Sequence, residues 1–157
     1  MHETALARNR AFAAADGHEG ATVFPALRLF VVTCLDPRVD PAHVLGLELG
    51  DATVVRNGGG RVTQEVIDDV AFVSQLAGRT IPEGPLFEVA IIHHTDCKAA
   101  ARDHALLDPA ATVASDVERL RSADAIPPRV TVSGHVYDIA TGLVETVIPM
   151  GVLDPAA

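Results

Sequence analysis

The stretch Leu27-Arg28-Leu29-Phe30-Val31-Val32-Thr33-Cys34-Leu35-Asp36-Pro37-Arg38 decides how this chain folds. Apart from Arg28, its first seven residues are apolar or β-branched and show no polar alternation, the pattern of a strand buried on both faces of a parallel sheet. The strand ends at Cys34. Outward from it, Leu86 to Ile92 repeats the pattern and runs into His93-His94-Thr95-Asp96-Cys97, while Ala52 to Val55 leads into Arg56-Asn57-Gly58-Gly59-Gly60, a loop whose glycines permit a tight fit. Between these runs, Val66, Val70, Val73 and Ala77 recur at helical spacing, with Ile67 and Leu76 widening the stripe and acids in the first two turns. This predicts a helix from Thr63 to Ala77, stopped by Gly78. A further helix is expected near Val113 to Ala123, with Ser115 and Glu118 spaced as a capping box and Pro127-Pro128 closing it. Val130 to Tyr137, a turn at Asp138 to Gly142 and Leu143 to Ile148 read as a hairpin-like end. Strands alternating with helices predict an α/β fold: a mostly parallel central sheet flanked by helices, with an antiparallel C-terminal strand.

Composition narrows the function. The chain has 157 residues, 48% hydrophobic and 21% charged, enough for a single core, and no repeat or linker divides it, so one domain is expected over residues 1–157. Its net charge of −9 and lack of a basic run argue against nucleic acid as a partner. The apolar stretches are too short to span a bilayer, and Glu3, Arg8 and Arg10 stand where a secretory segment would be apolar, so the expectation is a soluble, cytoplasmic protein without a membrane. Residues 1–20 read as a helical arm, from Glu3 to Asp16, rich in alanine and too poor in large apolar residues to form a core of its own.

The two cysteines cannot build a disulfide framework, which leaves them buried, catalytic or metal-bound. In open α/β sheets ligands gather at the carboxyl ends of strands. Cys34 follows one proposed strand and His94 with Cys97 follows another, so three soft-metal donors would meet at one edge. Thiolate and imidazole suit zinc, and His-x-x-Cys offers two ligands from one turn. The alternative is a buried inert thiol at Cys34. Asp36 and Arg38, with Pro37 stiffening the backbone between them, are expected to form a carboxylate–guanidinium pair beside such a metal, the alternative being a surface ion pair worth little. Asp36 then either accepts the proton of a metal-bound water or closes the site as a fourth ligand. His93 points to the opposite side from His94 if the strand pattern persists, and His43, His104 and His135 have no spacing that assigns them a role.

Cys34-Leu35-Asp36-Pro37-Arg38, Arg56-Asn57-Gly58-Gly59 and His93-His94-Thr95-Asp96-Cys97, in that order, resemble the β-class carbonic anhydrases, and Gly134-His135-Val136-Tyr137-Asp138-Ile139-Ala140-Thr141-Gly142 is similar too. The resemblance implies the β-carbonic-anhydrase fold, with Zn2+ held by Cys34, His94 and Cys97 and Asp36 with Arg38 as the catalytic pair. It further implies reversible hydration of carbon dioxide to bicarbonate and a proton by a metal-bound hydroxide. A homodimer or an assembly of dimers is expected, with the arm of residues 1–20 lying on the partner. Two alternatives stay open: hydrolysis of carbonyl sulfide or carbon disulfide on the same zinc, and a non-catalytic zinc protein. Three positions depart from the family pattern: Lys98, the only lysine, stands where glycine is usual; Gly58 replaces alanine; and the segment from Cys97 to the next helix is short.

Overall fold

The structure is a computed structural model and describes residues 1–152; the expected domain of 1–157 includes residues 153–157, which lie outside the described residues. Helix α1 spans Glu3–Ala14, β1 Leu29–Cys34, the short α2 Pro41–Val44, β2 Ala52–Asn57, α3 Gln64–Thr80, β3 Phe87–His94, α4 Pro109–Arg121, β4 Val130–Tyr137 and β5 Val144–Val152. The five strands form one sheet in the order β2-β1-β3-β4-β5. All neighbours are parallel except β4 and β5, which are antiparallel, as the sequence predicts.

β1 sits between β2 and β3, with Val31 opposite both Val54 and Ala90. From β1 the chain moves to one side of the sheet and then crosses through α3 to the other, so the β1/β3 boundary is where the strand order reverses. The carboxyl ends of β1 and β3 therefore flank the crevice in which α/β sheets bind ligands.

One face of the sheet supplies the core. Phe30 and Val32 from β1, Val89 and Ile91 from β3, and Val130 and Val132 from β4 pack under Val66, Ile67, Val70 and Ala77 of α3 and Val113, Val117 and Leu120 of α4. Helix α3 begins where Thr63 accepts a hydrogen bond from the Val66 amide, and it ends two residues beyond Gly78, so that glycine does not stop it. The largest boundary correction concerns α4. Ser115 and Glu118 are not its capping box: Asp108 accepts from the Ala111 amide, Pro109 fills the first turn, and the helix starts four residues before Val113. Proline is tolerated there because a first-turn amide has no helical partner to lose. Helix α4 comes close to β4 at Gly134, where an added Cβ would meet Val117 Cγ2 at 2.9 Å.

Helix α1 has no buried residue, and its larger apolar side chains, Leu6 and Phe12, are exposed. Among the described residues no helix is long and apolar enough to cross a membrane. A smaller apolar cluster of Cys34, Val39, Cys97 and Leu106 lies at the carboxyl edge of β1 and β3, separate from the main core.

Because Leu120 is fully buried between α4 and the sheet, Leu120→Ala is expected to lower stability by about 2–5 kcal/mol through lost burial and a residual cavity. Urea denaturation with an unchanged slope is the measurement.

Candidate metal centre

Cys34 is the last residue of β1 and His94 the last of β3, and Cys97 follows after a turn in which Asp96 takes φ 54°. The two thiol sulfurs and one imidazole nitrogen of His94 lie within 4.8 Å of one another, and all three residues are buried. Among the described residues this is the group of such donors close enough to hold a metal ion together.

Three observations fit a metal there. The sulfurs of Cys34 and Cys97 stand 3.9 Å apart, close to the separation of about 3.8 Å that two thiolates have on a tetrahedral ion with metal–sulfur bonds of about 2.3 Å. The backbone carbonyl of Thr95 lies 2.9 Å from His94 Nδ1, which places the ring proton on Nδ1. That leaves Nε2, buried and without a hydrogen-bond partner, as the free donor. Burial also pushes the His94 pKa down, so the neutral imidazole that a metal requires is the favoured form. The Cys97 thiol is pushed up, by burial first and by Cys34 beside it. A buried thiol so placed resists ionising without a cation, and a divalent ion would reverse that preference at Cys97.

Asp36 is not gathered with these donors. Its carboxylate accepts from Arg38 Nη2 at 2.7 Å, Nε at 3.0 Å and the Arg38 amide at 2.9 Å. These bonds, with Arg38 the main cause, hold the Asp36 pKa at about 2. The carboxylate is near enough to raise Cys97 and to be felt by His94. It therefore lies near the donors while engaged by the guanidinium.

Two supports of this pair lie inside the quoted motifs, yet their roles were not legible in sequence. Asp96 is a second anchor for Arg38, accepting from Nη1 at 3.0 Å on its side chain and from Nη2 at 3.2 Å on its carbonyl. Arg56 donates to the carbonyls of Cys34 at 3.0 Å and Asp36 at 2.7 Å and to the Asp40 carboxylate at 2.7 Å, fixing the turn after β1. Lys98 pairs with Asp96 at 2.5 Å and its side chain is 77% exposed, so it points to solvent and does not crowd the donors.

The glycine loop is pressed against β1. Gly60 has φ +70°, and a Cβ there would stand 2.9 Å from both the Cys34 amide nitrogen and the Thr33 carbonyl carbon. Gly59 has φ +94° and a Cβ there would meet Leu106 Cδ1 at 2.7 Å, whereas Gly58 meets only Leu35 Cδ2, at 4.0 Å. The change from alanine to glycine at position 58 therefore falls where a methyl group fits. The segment after Cys97 folds into two 3-10 turns, Lys98–Ala101 and His104–Leu107, and with Thr95, Cys97 and Pro109 lines an open pocket of about 340 Å³ beside Cys97.

These features define an α/β metalloprotein site of two thiols and one imidazole at a sheet switch point, beside a carboxylate–guanidinium pair. Residues 29–123 match the family model described as carbonic anhydrase. The chain belongs to that family, in its β class. It is 28% identical to β-carbonic anhydrase 1 of Mycobacterium tuberculosis, over 80% of this chain and 85% of that protein. It is also 28% identical to a carbon disulfide hydrolase of Acidithiobacillus thiooxidans, over 73% and 74% of the two chains. The crystal structure of carbonic anhydrase from Streptococcus mutans superposes with a TM-score of 0.70 at 32% identity, covering 94% of this chain and 98% of that one.

Since Gly60 abuts the backbone on which Cys34 hangs, Gly60→Ala is expected to cost about 2 kcal/mol of stability from its positive φ alone and to weaken metal binding as well. Chemical denaturation with and without added metal separates the two effects.

Proposed function

We propose that this protein catalyses the zinc-dependent reversible hydration of carbon dioxide to bicarbonate and a proton, with Cys34, His94 and Cys97 as zinc ligands and Asp36 and Arg38 as the catalytic pair. The observation that carries the reading is the convergence of two thiols and an unpartnered buried imidazole nitrogen beside a carboxylate already engaged by arginine. Zinc bound by such a set supplies a Lewis acid that brings the deprotonation of water close to neutral pH. Cys34 and Cys97 as thiolates would balance the ion's charge, and Arg38 holds Asp36 away from the role of a further ligand.

Asp36 orients rather than stores the proton. A carboxyl with a pKa of about 2 is ionised at neutral pH, so it accepts a hydrogen bond from the reacting water and passes no proton onward as an acid. Arg38 keeps that carboxylate turned and ionised, and Asp96 keeps Arg38 in place. The apolar side chains of Val39, Leu106 and Ile139 around the thiols suit an uncharged linear substrate better than a large polar one. The exposed α1 fits the expected arm on a second copy of the chain, in a homodimer or an assembly of dimers.

Hydrolysis of carbon disulfide or carbonyl sulfide at the same site is the second reading, supported by the similarity to a carbon disulfide hydrolase. Zinc content and stopped-flow hydration on one purified sample test the first. Cys97→Ser is expected to lose zinc and hydration together. Asp36→Asn is expected to retain zinc while hydration falls about 100-fold, the scale of losing one preorganised hydrogen-bonding group at the reacting centre. Zinc without hydration, but with turnover of a sulfur analogue, assigns the second reading. Zinc with neither activity leaves a non-catalytic zinc protein.

A further inference from the structure

Behind the metal edge, on the α4 side of the sheet, lies a charge cluster centred on Arg61 and Asp116, two residues outside the quoted motifs. Asp116 of α4 is buried, its side chain 2% exposed. Its Oδ2 accepts from Arg61 Nε at 2.8 Å and stands 3.1 Å from His93 Nε2. The carbonyl of Gly60 lies 3.2 Å from the same His93 nitrogen. Both neighbours are acceptors, so Nε2 carries the ring proton and donates to the Gly60 carbonyl, with the Asp116 carboxylate beside it. The other amino group of the Arg61 fork reaches Asp103, whose remaining oxygen caps the 3-10 turn His104–Leu107 at the Ala105 amide. The backbone of Arg61 is held as well, its amide and its carbonyl each bonded at 2.8 Å to the Asn57 side chain.

The three proposed ligands come from three separate pieces of chain, and each piece is tied to this cluster. Cys34 lies under Gly60, the residue before Arg61, whose carbonyl His93 holds. His94 follows His93 directly on β3. Cys97 opens the short segment that Asp103 ties to Arg61 and that Leu106 packs onto Gly59. A planar five-donor guanidinium can serve two carboxylates in fixed directions at once, which the single ammonium of a lysine does not reproduce. Removing either member of a largely buried pair also leaves the other without compensation.

We propose that Arg61 and Asp116 are positioning residues that preorganise the metal edge: through Gly60, His93 and Asp103 they set the separation of Cys34, His94 and Cys97. The inference rests on those three residues holding a metal, as proposed above. It assigns the pair no contact with substrate; it acts through the ligand-bearing segments.

The test uses the full chain loaded with zinc, and in parallel with cobalt(II), whose thiolate charge-transfer absorption reports ligand geometry. Arg61→Met and Asp116→Asn are compared with Arg61→Lys, and thermal unfolding of the metal-free forms monitors the fold. Metal affinity, from competition with a chromophoric chelator, is expected to fall about tenfold in Arg61→Met and Asp116→Asn, the lower end of what partners of ligand residues contribute. The cobalt charge-transfer band should weaken or shift, and Arg61→Lys should recover part of the loss. Folded Arg61→Met and Asp116→Asn with wild-type affinity and an unchanged cobalt spectrum would overturn the inference, leaving the cluster a stability element. If those two fail to fold, Arg61→Lys and Asp103→Asn decide by the same readouts: weaker binding with a moved cobalt band supports the inference, and wild-type values overturn it. Wild-type protein that binds neither zinc nor cobalt would instead sink the metal reading itself.

Discussion

Parallel pairing of β1 with β3, with Thr33 opposite Ile92, is the constraint on which the rest of the molecule depends. It ends two strands side by side and brings Cys34 within reach of His94, 60 residues further along the sequence. The pairing is stable because both strands are buried on the helical side under α3 and α4, so slipping by one residue would turn Phe30, Val32, Val89 and Ile91 away from the core. The metal edge thus takes its geometry from hydrophobic register, and its chemistry from the residues at which the two strands end.

Electrostatics at that edge is organised by displacement of water. The thiol of Cys97 and the free nitrogen of His94 are removed from solvent, which raises Cys97 and lowers His94 and so favours the neutral form of both until a cation arrives. At Asp36 the same penalty is outweighed because Arg38 meets it with three hydrogen bonds from its side chain and one from its backbone. Arg38 in turn lies between Asp36 and Asp96, with Lys98 on the outer side of Asp96, so charges alternate from the buried edge to solvent. In such a chain the inner members matter more than the outer ones, since solvent screens exposed pairs.

The shortness of the segment after Cys97 has a structural counterpart. It consists of two 3-10 turns, the second capped by Asp103 and braced where Thr112 donates to the Ala105 and Asp108 carbonyls. Leu106 then occupies space that Gly59 vacates. The glycine loop and the short segment interlock, each shaped to the other, and Arg61 joins them to α4.

Much of this was legible in the sequence. Apolar runs without alternation marked β1 and β3, helical spacing marked α3, and the turn residues at Asp138 to Gly142 marked the β4–β5 hairpin, because these signals are local and repeat at the period of the element. The motif spacing put Cys34, His94 and Cys97 on one edge and paired Asp36 with Arg38 for the same reason: each lies within a few residues of a strand end. The start of α4 was misread because Ser115 and Glu118 satisfy a capping pattern inside a helix that Asp108 and Pro109 already begin. Only the tertiary structure decided that Arg38 has a second anchor in Asp96, that Lys98 faces solvent, that Gly60 rather than Gly58 must lack a side chain, and that Arg61 meets Asp116. Those depend on where non-neighbouring segments approach, and a separation of 55 residues between Arg61 and Asp116 leaves no periodicity or spacing from which the contact could be read.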